Sequence, residues 1–200
     1  MTDRPQTLGE EIANSVSHGL ALLAALVGGP FLIVSATRYS AASIVGAAVF
    51  VGTMVMLYLA STLYHALPNG RAKRVFVKID HGAIYLFIAG SYTPFVLGVL
   101  GGAWGWTLFG LVWGMAAIGV TFKAFDRLSQ PLLSTGLYLA MGWLVLIAAV
   151  PLVERVPAPG VELLVAGGLA YTIGVVFFAL DSRWRYAHAV WHDFVVLGSA

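Results

Sequence analysis

The sequence predicts an all-α membrane protein, a single bundle of seven transmembrane helices over residues 1–200, with the N-terminus in the cytoplasm and the C-terminus outside. Three observations carry this reading. Sixty per cent of the residues are hydrophobic and ten per cent charged, against about 45–50% and 25% in a soluble domain, so much of the surface must face lipid. Nearly uncharged runs recur along the whole chain, most of them close to the roughly 20 residues that cross a bilayer. Lys and Arg gather on alternate connections between those runs.

The first run, about residues 18–37, follows a stretch holding both acidic and basic residues and is longer than a signal-peptide core, so it reads as an uncleaved helix. Runs at about 41–65, 79–100, 104–122, 134–151 and 162–180 follow, and a last one at about 186–200. That last run rises only about 22 Å against a hydrocarbon core of about 30 Å, so an incomplete helix or a missing tail is expected there. The connections, at 38–40, 68–78, 101–102, 123–133, 152–161 and 181–185, leave no room for a soluble domain. Arg4, then Arg71, Lys73, Arg74 and Lys78, then Lys123 and Arg127, then Arg183 and Arg185 fall on one side, opposed only by Arg38 and Arg155. The positive-inside rule therefore sets the N-terminus in the cytoplasm.

Several function classes drop out. With no cysteine there is neither a disulfide framework nor a thiolate metal site, so a transition metal would rest on imidazole and carboxylate. A net charge of +2 is no nucleic-acid footprint. No long repeat, phosphate loop or nucleophile elbow is present. Gly110, Gly114 and Gly119, with Ala166 and Ala170, have the spacing of small residues that let helices approach closely. Trp104, Trp106, Trp184 and Trp191 fall near helix ends, where an indole sits between headgroup and hydrocarbon.

The chemistry must then come from polar residues in apolar segments. His188 and His192 are four residues apart, so on a helix they share one face a turn apart, which suits two ligands of one metal. His65 closes the second helix with Ser61 one turn before it, and Asp80 opens the third. In the orientation set by Lys and Arg, all of these lie at the cytoplasmic leaflet and can converge. Three imidazoles and one open position make the arrangement of a catalytic zinc, with Asp80 able to hold or deprotonate a bound water. Other readings stay open. The histidines could be neutral core residues or a proton relay. Asp80 could pair with Lys78 or cap its helix, and Ser61 could bond its own helix's carbonyl. Glu11, Asn14 and His18 form a stripe three and four residues apart, aimed at the same leaflet, and either support the site or cap and solvate the helix end. His81 and Asp193 are offset by about 100° from their neighbours and fall outside the ligand set.

Taken together, Glu11, Asn14 and His18, Ser61 to His65, the run from Asp80-His-Gly-Ala-Ile-Tyr to Gly90-Ser-Tyr-Thr-Pro94, and His188 to His192 resemble the hemolysin III family of bacteria. That family belongs to the wider progestin and adipoQ receptor family, which includes the adiponectin receptors. The resemblance covers almost the whole chain. It implies a multi-pass protein of the bacterial cytoplasmic membrane, zinc held by His65, His188 and His192, Asp80 against zinc-bound water, and Ser61 beside the site. The adiponectin-receptor branch is credited with hydrolysing ceramide, and bacterial relatives are linked to membrane-lipid homeostasis. The chain departs from that branch in the short stretch before its first helix and in the early stop of its last. The expected function is thus a zinc-dependent hydrolase of a membrane lipid amide, ceramide-like or N-acyl, with Asp80 and Ser61 as catalytic residues. A non-catalytic lipid sensor with a structural zinc, or a cytolysin, are the alternatives, and the oligomeric state is left open.

Overall fold

The computed structural model describes residues 4–127 and 131–200. Its elements are α1 (Leu8–Ala36), α2 (Ala41–Ala66), α3 (Arg71–Phe95, running into a π-helical turn, Val96–Leu100), α4 (Gly102–Ala124), α5 (Pro131–Trp143), a 3-10 turn (Leu144–Ala148), α6 (Ala149–Arg155), α7 (Ala158–Leu180) and α8 (Ala187–Ser199). No strand occurs among the described residues. Six segments are long and apolar enough to cross a membrane: α1, α2, α3 with its π turn, α4, the composite over Leu133–Arg155, and α7. The chain is a multi-pass membrane protein. Helix α8 has 13 residues and rises about 20 Å, short of a full crossing.

Two helices begin well before their apolar runs. α1 starts at Leu8 because Thr7 and Glu10 form a reciprocal capping box: Thr7 Oγ1 accepts from the Glu10 N–H at 3.4 Å, and Glu10 Oε2 accepts from the Thr7 N–H at 2.9 Å. α3 starts at Arg71, so most of the expected connection 68–78 is helical. Hydropathy marks where a helix enters hydrocarbon, whereas the backbone can stay helical through the headgroup layer with charged side chains. Residues 128–130, within the expected connection 123–133, lie outside the described residues.

α3 is the axis of the bundle: half of it is buried, whereas no other span exceeds 28%. On one side it packs Tyr85 and Val96 against Leu108 and Val112 of α4 and Met141 of α5. On the other, Phe87 joins Ala21 and Ala25 of α1, Leu57 and Tyr58 of α2, and Trp191 and Val195 of α8. The exterior carries apolar residues such as Phe31, Val150 and Leu163, each at least 70% exposed, as a lipid-facing surface requires. α2 reaches α3 closely through Gly46, where an added Cβ would lie 2.7 Å from Pro94 Cα.

A broken helix in lipid needs substitute partners for its freed backbone groups. At the α5–α6 break the Tyr92 hydroxyl supplies them, accepting from the Val145 N–H at 2.8 Å and facing the carbonyls of Met141 and Gly142 at 2.8 and 2.7 Å. Gly101 and Gly102, at φ 54° and 51°, make the tight turn into α4 in a region that disfavours side chains.

The small-residue reading needs correction in part. Gly119 meets the Tyr85 ring, but an added Cβ at Gly110 or Gly114 would touch nothing within 4 Å, and Ala166 is exposed while Ala170 is buried. Trp104, Trp106 and Trp184 are exposed near helix ends, whereas Trp191 is buried against Phe178, with ring centroids 5.5 Å apart. Its place one turn along from His188 turns it inward with the histidines.

Candidate metal centre

The site is assembled where the first turns of α1, the end of α2, the N-terminal half of α3 and the start of α8 meet. His65, from the last turn of α2, and His188 and His192, from successive turns of α8, bring one ring nitrogen each to within 4.8 Å of one another. The rings meet edge-on, at 61–69° and centroid separations of 4.8–5.2 Å. His65 and His192 are buried and His188 half-buried. Asp80 and Ser61 are buried too, and Asp80 lies within reach of both Ser61 and His188.

What fixes each ring is its Nδ1. His65 Nδ1 donates to Glu11 Oε2 at 2.7 Å, and His188 Nδ1 donates to Asp181 Oδ2 at 2.9 Å. His192 Nδ1 faces the Asn14 carbonyl at 3.2 Å and Ser17 Oγ at 3.1 Å, and Ser17 Oγ donates to that same carbonyl. With every Nδ1 occupied as a donor, the nitrogen lone pair left on each ring belongs to Nε2. A metal-binding imidazole needs this tautomer, with its second nitrogen held by a carboxylate or a backbone carbonyl.

Buried polar atoms that lack partners also collect here. Among the described residues there are seven such atoms, and five of them are Asn14 Oδ1, both ring nitrogens of His18, Ser61 Oγ and His65 Nε2. Buried donors and acceptors are normally paired, so a cluster of orphans marks a place built for something besides protein. The residues present therefore fit a metal ion on imidazole nitrogen, with polar space around it.

The structure decides between several readings of single residues. Lys78 pairs with Asp126 at 2.5 Å rather than with Asp80. Asp80 lies in the body of α3, far past its first turn, so it caps nothing. Ser61 Oγ makes no bond to its own helix carbonyl. His65, with a buried unpartnered Nε2, is no satisfied core histidine. Glu11 holds His65 and, through its other oxygen, Lys73 at 2.8 Å. Asn14 places its carbonyl on His192 and its side chain against Gln6 at 2.5 Å. His18 stacks on His192, centroids 3.6 Å apart and planes within 10°. His81 and Asp193 stand outside the histidine cluster, and Asp193 is exposed.

Four supporting residues escape a reading of the sequence alone. Asp181 and Ser17 hold two of the rings. Glu10, only 3% exposed, accepts from Arg4, from Thr7 and from the Tyr186 N–H at 3.1 Å. Tyr186, at φ 62°, is the left-handed residue that aims α8 inward. Of these only Glu10 left a local signal, the Thr7-x-x-Glu10 capping box.

A family profile described as "Haemolysin-III related" matches residues 6–200. The chain is 44% identical over 195 residues to the "Hemolysin-3 homolog" of Bacillus subtilis (strain 168), covering 97% of this chain and 91% of that protein. It is 42% identical to "Hemolysin-3" of Bacillus cereus, covering 100% and 91%. A more distant relative, at 29% identity over 97% of this chain and 82% of its own length, is the "Monocyte to macrophage differentiation factor" of Homo sapiens. A multi-pass helical bundle with a buried histidine cluster, matched over nearly its full length by one family profile, belongs to the haemolysin-III-related family.

Proposed function

We propose that the chain is a zinc-dependent hydrolase of a membrane lipid amide, ceramide-like or N-acyl. We further propose that it works at the cytoplasmic leaflet of the bacterial plasma membrane as a seven-crossing bundle with its N-terminus inside. The carrying observation is the set of three imidazoles whose Nδ1 atoms are tied down by Glu11, Asp181 and the Asn14 carbonyl, leaving the Nε2 lone pairs free in rings that bring one nitrogen each to within 4.8 Å of one another. Imidazole donors without thiolate suit zinc, and three protein ligands leave a position open. When bound there, zinc polarises a carbonyl and lowers the pKa of water.

The rest falls to side chains. The Asp80 carboxylate takes the proton of the attacking water, whose oxygen bonds to the amide carbon. Ser61, buried beside Asp80 and not bonded to its own helix, donates to the oxygen that gains charge. The C–N bond then breaks, the amine leaves with the proton held at Asp80, and a fatty acid remains. A lipid amide reaches the site without leaving the bilayer, because the cluster sits at a helix end within reach of one leaflet.

The same ring-holding network would also serve a non-catalytic lipid sensor whose metal ties α2 to α8, and the relatives' printed name suggests cytolysis. Purified protein incubated with ceramides and N-acyl lipids separates these. Fatty acid release that stops on chelation and returns with zinc supports the hydrolase. Inertness across a broad panel overturns it, and leakage of dye-loaded liposomes supports the cytolysin.

A further inference from the structure

A second feature lies on the outer face of the bundle. A groove of about 890 Å³ runs between α2, α3 and α4, and none of the three histidines lines it. Its walls are Met56 of α2, Gly82, Ala83 and Leu86 of α3, and Val120 and Ala124 of α4. Gly82 keeps it open: an added Cβ there would meet nothing within 4 Å. Ala83 and Phe87 on the same helix are buried in the core, so the groove is a local gap in the packing.

Its mouth is cationic. Arg71, Arg74 and Lys78 stand there with one acid, Asp126, which is bonded to Lys78 at 2.5 Å. Arg71 and Arg74 are exposed, and neither has an acidic partner among the described residues. The mouth therefore carries a net charge of +2, three cations less one acid. From Arg71 to Leu86 the helix rises about 22 Å, which matches one leaflet's hydrocarbon of about 15 Å together with its headgroup layer.

We propose that this groove binds an anionic phospholipid of the leaflet at the N-terminal end of the bundle. One acyl chain lies along Gly82, Ala83 and Leu86, and the phosphate sits between the guanidinium groups of Arg71 and Arg74. The chemistry is complementary at both ends. An apolar gap facing lipid fills with hydrocarbon, and the planar fork of arginine matches phosphate oxygens in pairs. Lys78, already neutralised by Asp126, closes the site towards α4 without adding free charge. This inference is independent of the metal reading.

The test uses the full chain in mixed detergent micelles, measuring lipid retained by native mass spectrometry and the shift in Tm. The probes are phosphatidylglycerol, phosphatidylcholine and inorganic phosphate. Phosphatidylglycerol should be retained and raise Tm, with a preference over phosphatidylcholine that falls by roughly 25-fold in Arg71→Gln/Arg74→Gln, about fivefold per arginine. Gly82→Leu, whose Cβ enters the gap with nothing within 4 Å, should fill it from the floor and lose retained lipid of both kinds. Equal retention of the two lipids by the unaltered protein overturns the proposal. So does a preference that survives the arginine changes, retention that survives Gly82→Leu, or a Tm shift that inorganic phosphate alone reproduces.

Discussion

Glu11 on α1 and His65 on α2 meet at 2.7 Å, carboxylate to Nδ1, while the other Glu11 oxygen holds Lys73 at the start of α3 at 2.8 Å. One side chain thus sets a ring's tautomer and joins three helices. Replacing Glu11 by Gln should keep the fold but lower zinc affinity by about 10–100-fold, since the neutral amide binds the imidazole N–H less well and no longer pairs Lys73. Competition against a chromophoric chelator measures this; an unchanged affinity would show that the ring needs no such support.

Removing ligands should act on stoichiometry rather than strength. In His188→Ala/His192→Ala, elemental analysis should fall from one zinc per chain to none, and zinc should cease to raise Tm, because metal that binds only the folded chain stabilises it. Retention of one zinc by the double variant would place the metal elsewhere.

Asp80 and Ser61 separate chemistry from structure. Asp80→Ala should retain zinc and lose about 10²–10⁴ in kcat, the range of a general acid or base. Ser61→Ala deletes a buried hydroxyl whose neighbour is the Asp80 carboxylate, so Tm should change little while kcat drops about 10²–10³. A sensor would keep metal and stability in both variants with no turnover to lose.

Glu10 acts through Tyr186. Glu10→Ala removes the carboxylate half of the α1 capping box, the Arg4 pairing and the tie to the backbone that leads into α8, and should cost about 2 kcal/mol in reversible unfolding. Zinc affinity should fall as well, because α8 carries two of the three rings. A stability loss with unchanged zinc affinity would mean that the tie does not aim α8.

Two glycines of α4 give a packing contrast. At Gly119 an added Cβ would lie 2.5 Å from the Tyr85 ring, so Gly119→Ala should destabilise by about 1–3 kcal/mol. At Gly114 nothing lies within 4 Å, and Gly114→Ala should be neutral or slightly stabilising through helix propensity. Thermal unfolding of the two variants side by side tests whether α4 turns its Gly119 face towards α3.

The helices were legible from composition because lipid leaves little choice: each crossing needs about 20 apolar residues and an internally bonded backbone. Their polar ends were not, since hydropathy is silent where Leu8–Ser17 and Arg71–Lys78 continue as helix with charged and polar side chains. His188 and His192 stood out because an i, i+4 pair is a local relation, and His65 joined them through charge-derived topology. The grip on each ring lay beyond sequence reasoning. Glu11 and His65 are 54 residues apart, and Asn14 and His192 are 178 apart, so their meeting depends on how helices rotate and pack rather than on spacing. Asp181 reads as loop charge until α8 folds back over it, and Gly82 reads as one more membrane glycine until the gap beside it is seen. Periodicity and solvation determined what crosses the membrane and which residue types could bind a metal. Tertiary packing alone decided which nitrogen of each histidine is free to do so, because a tautomer is set by the partner across the helix interface.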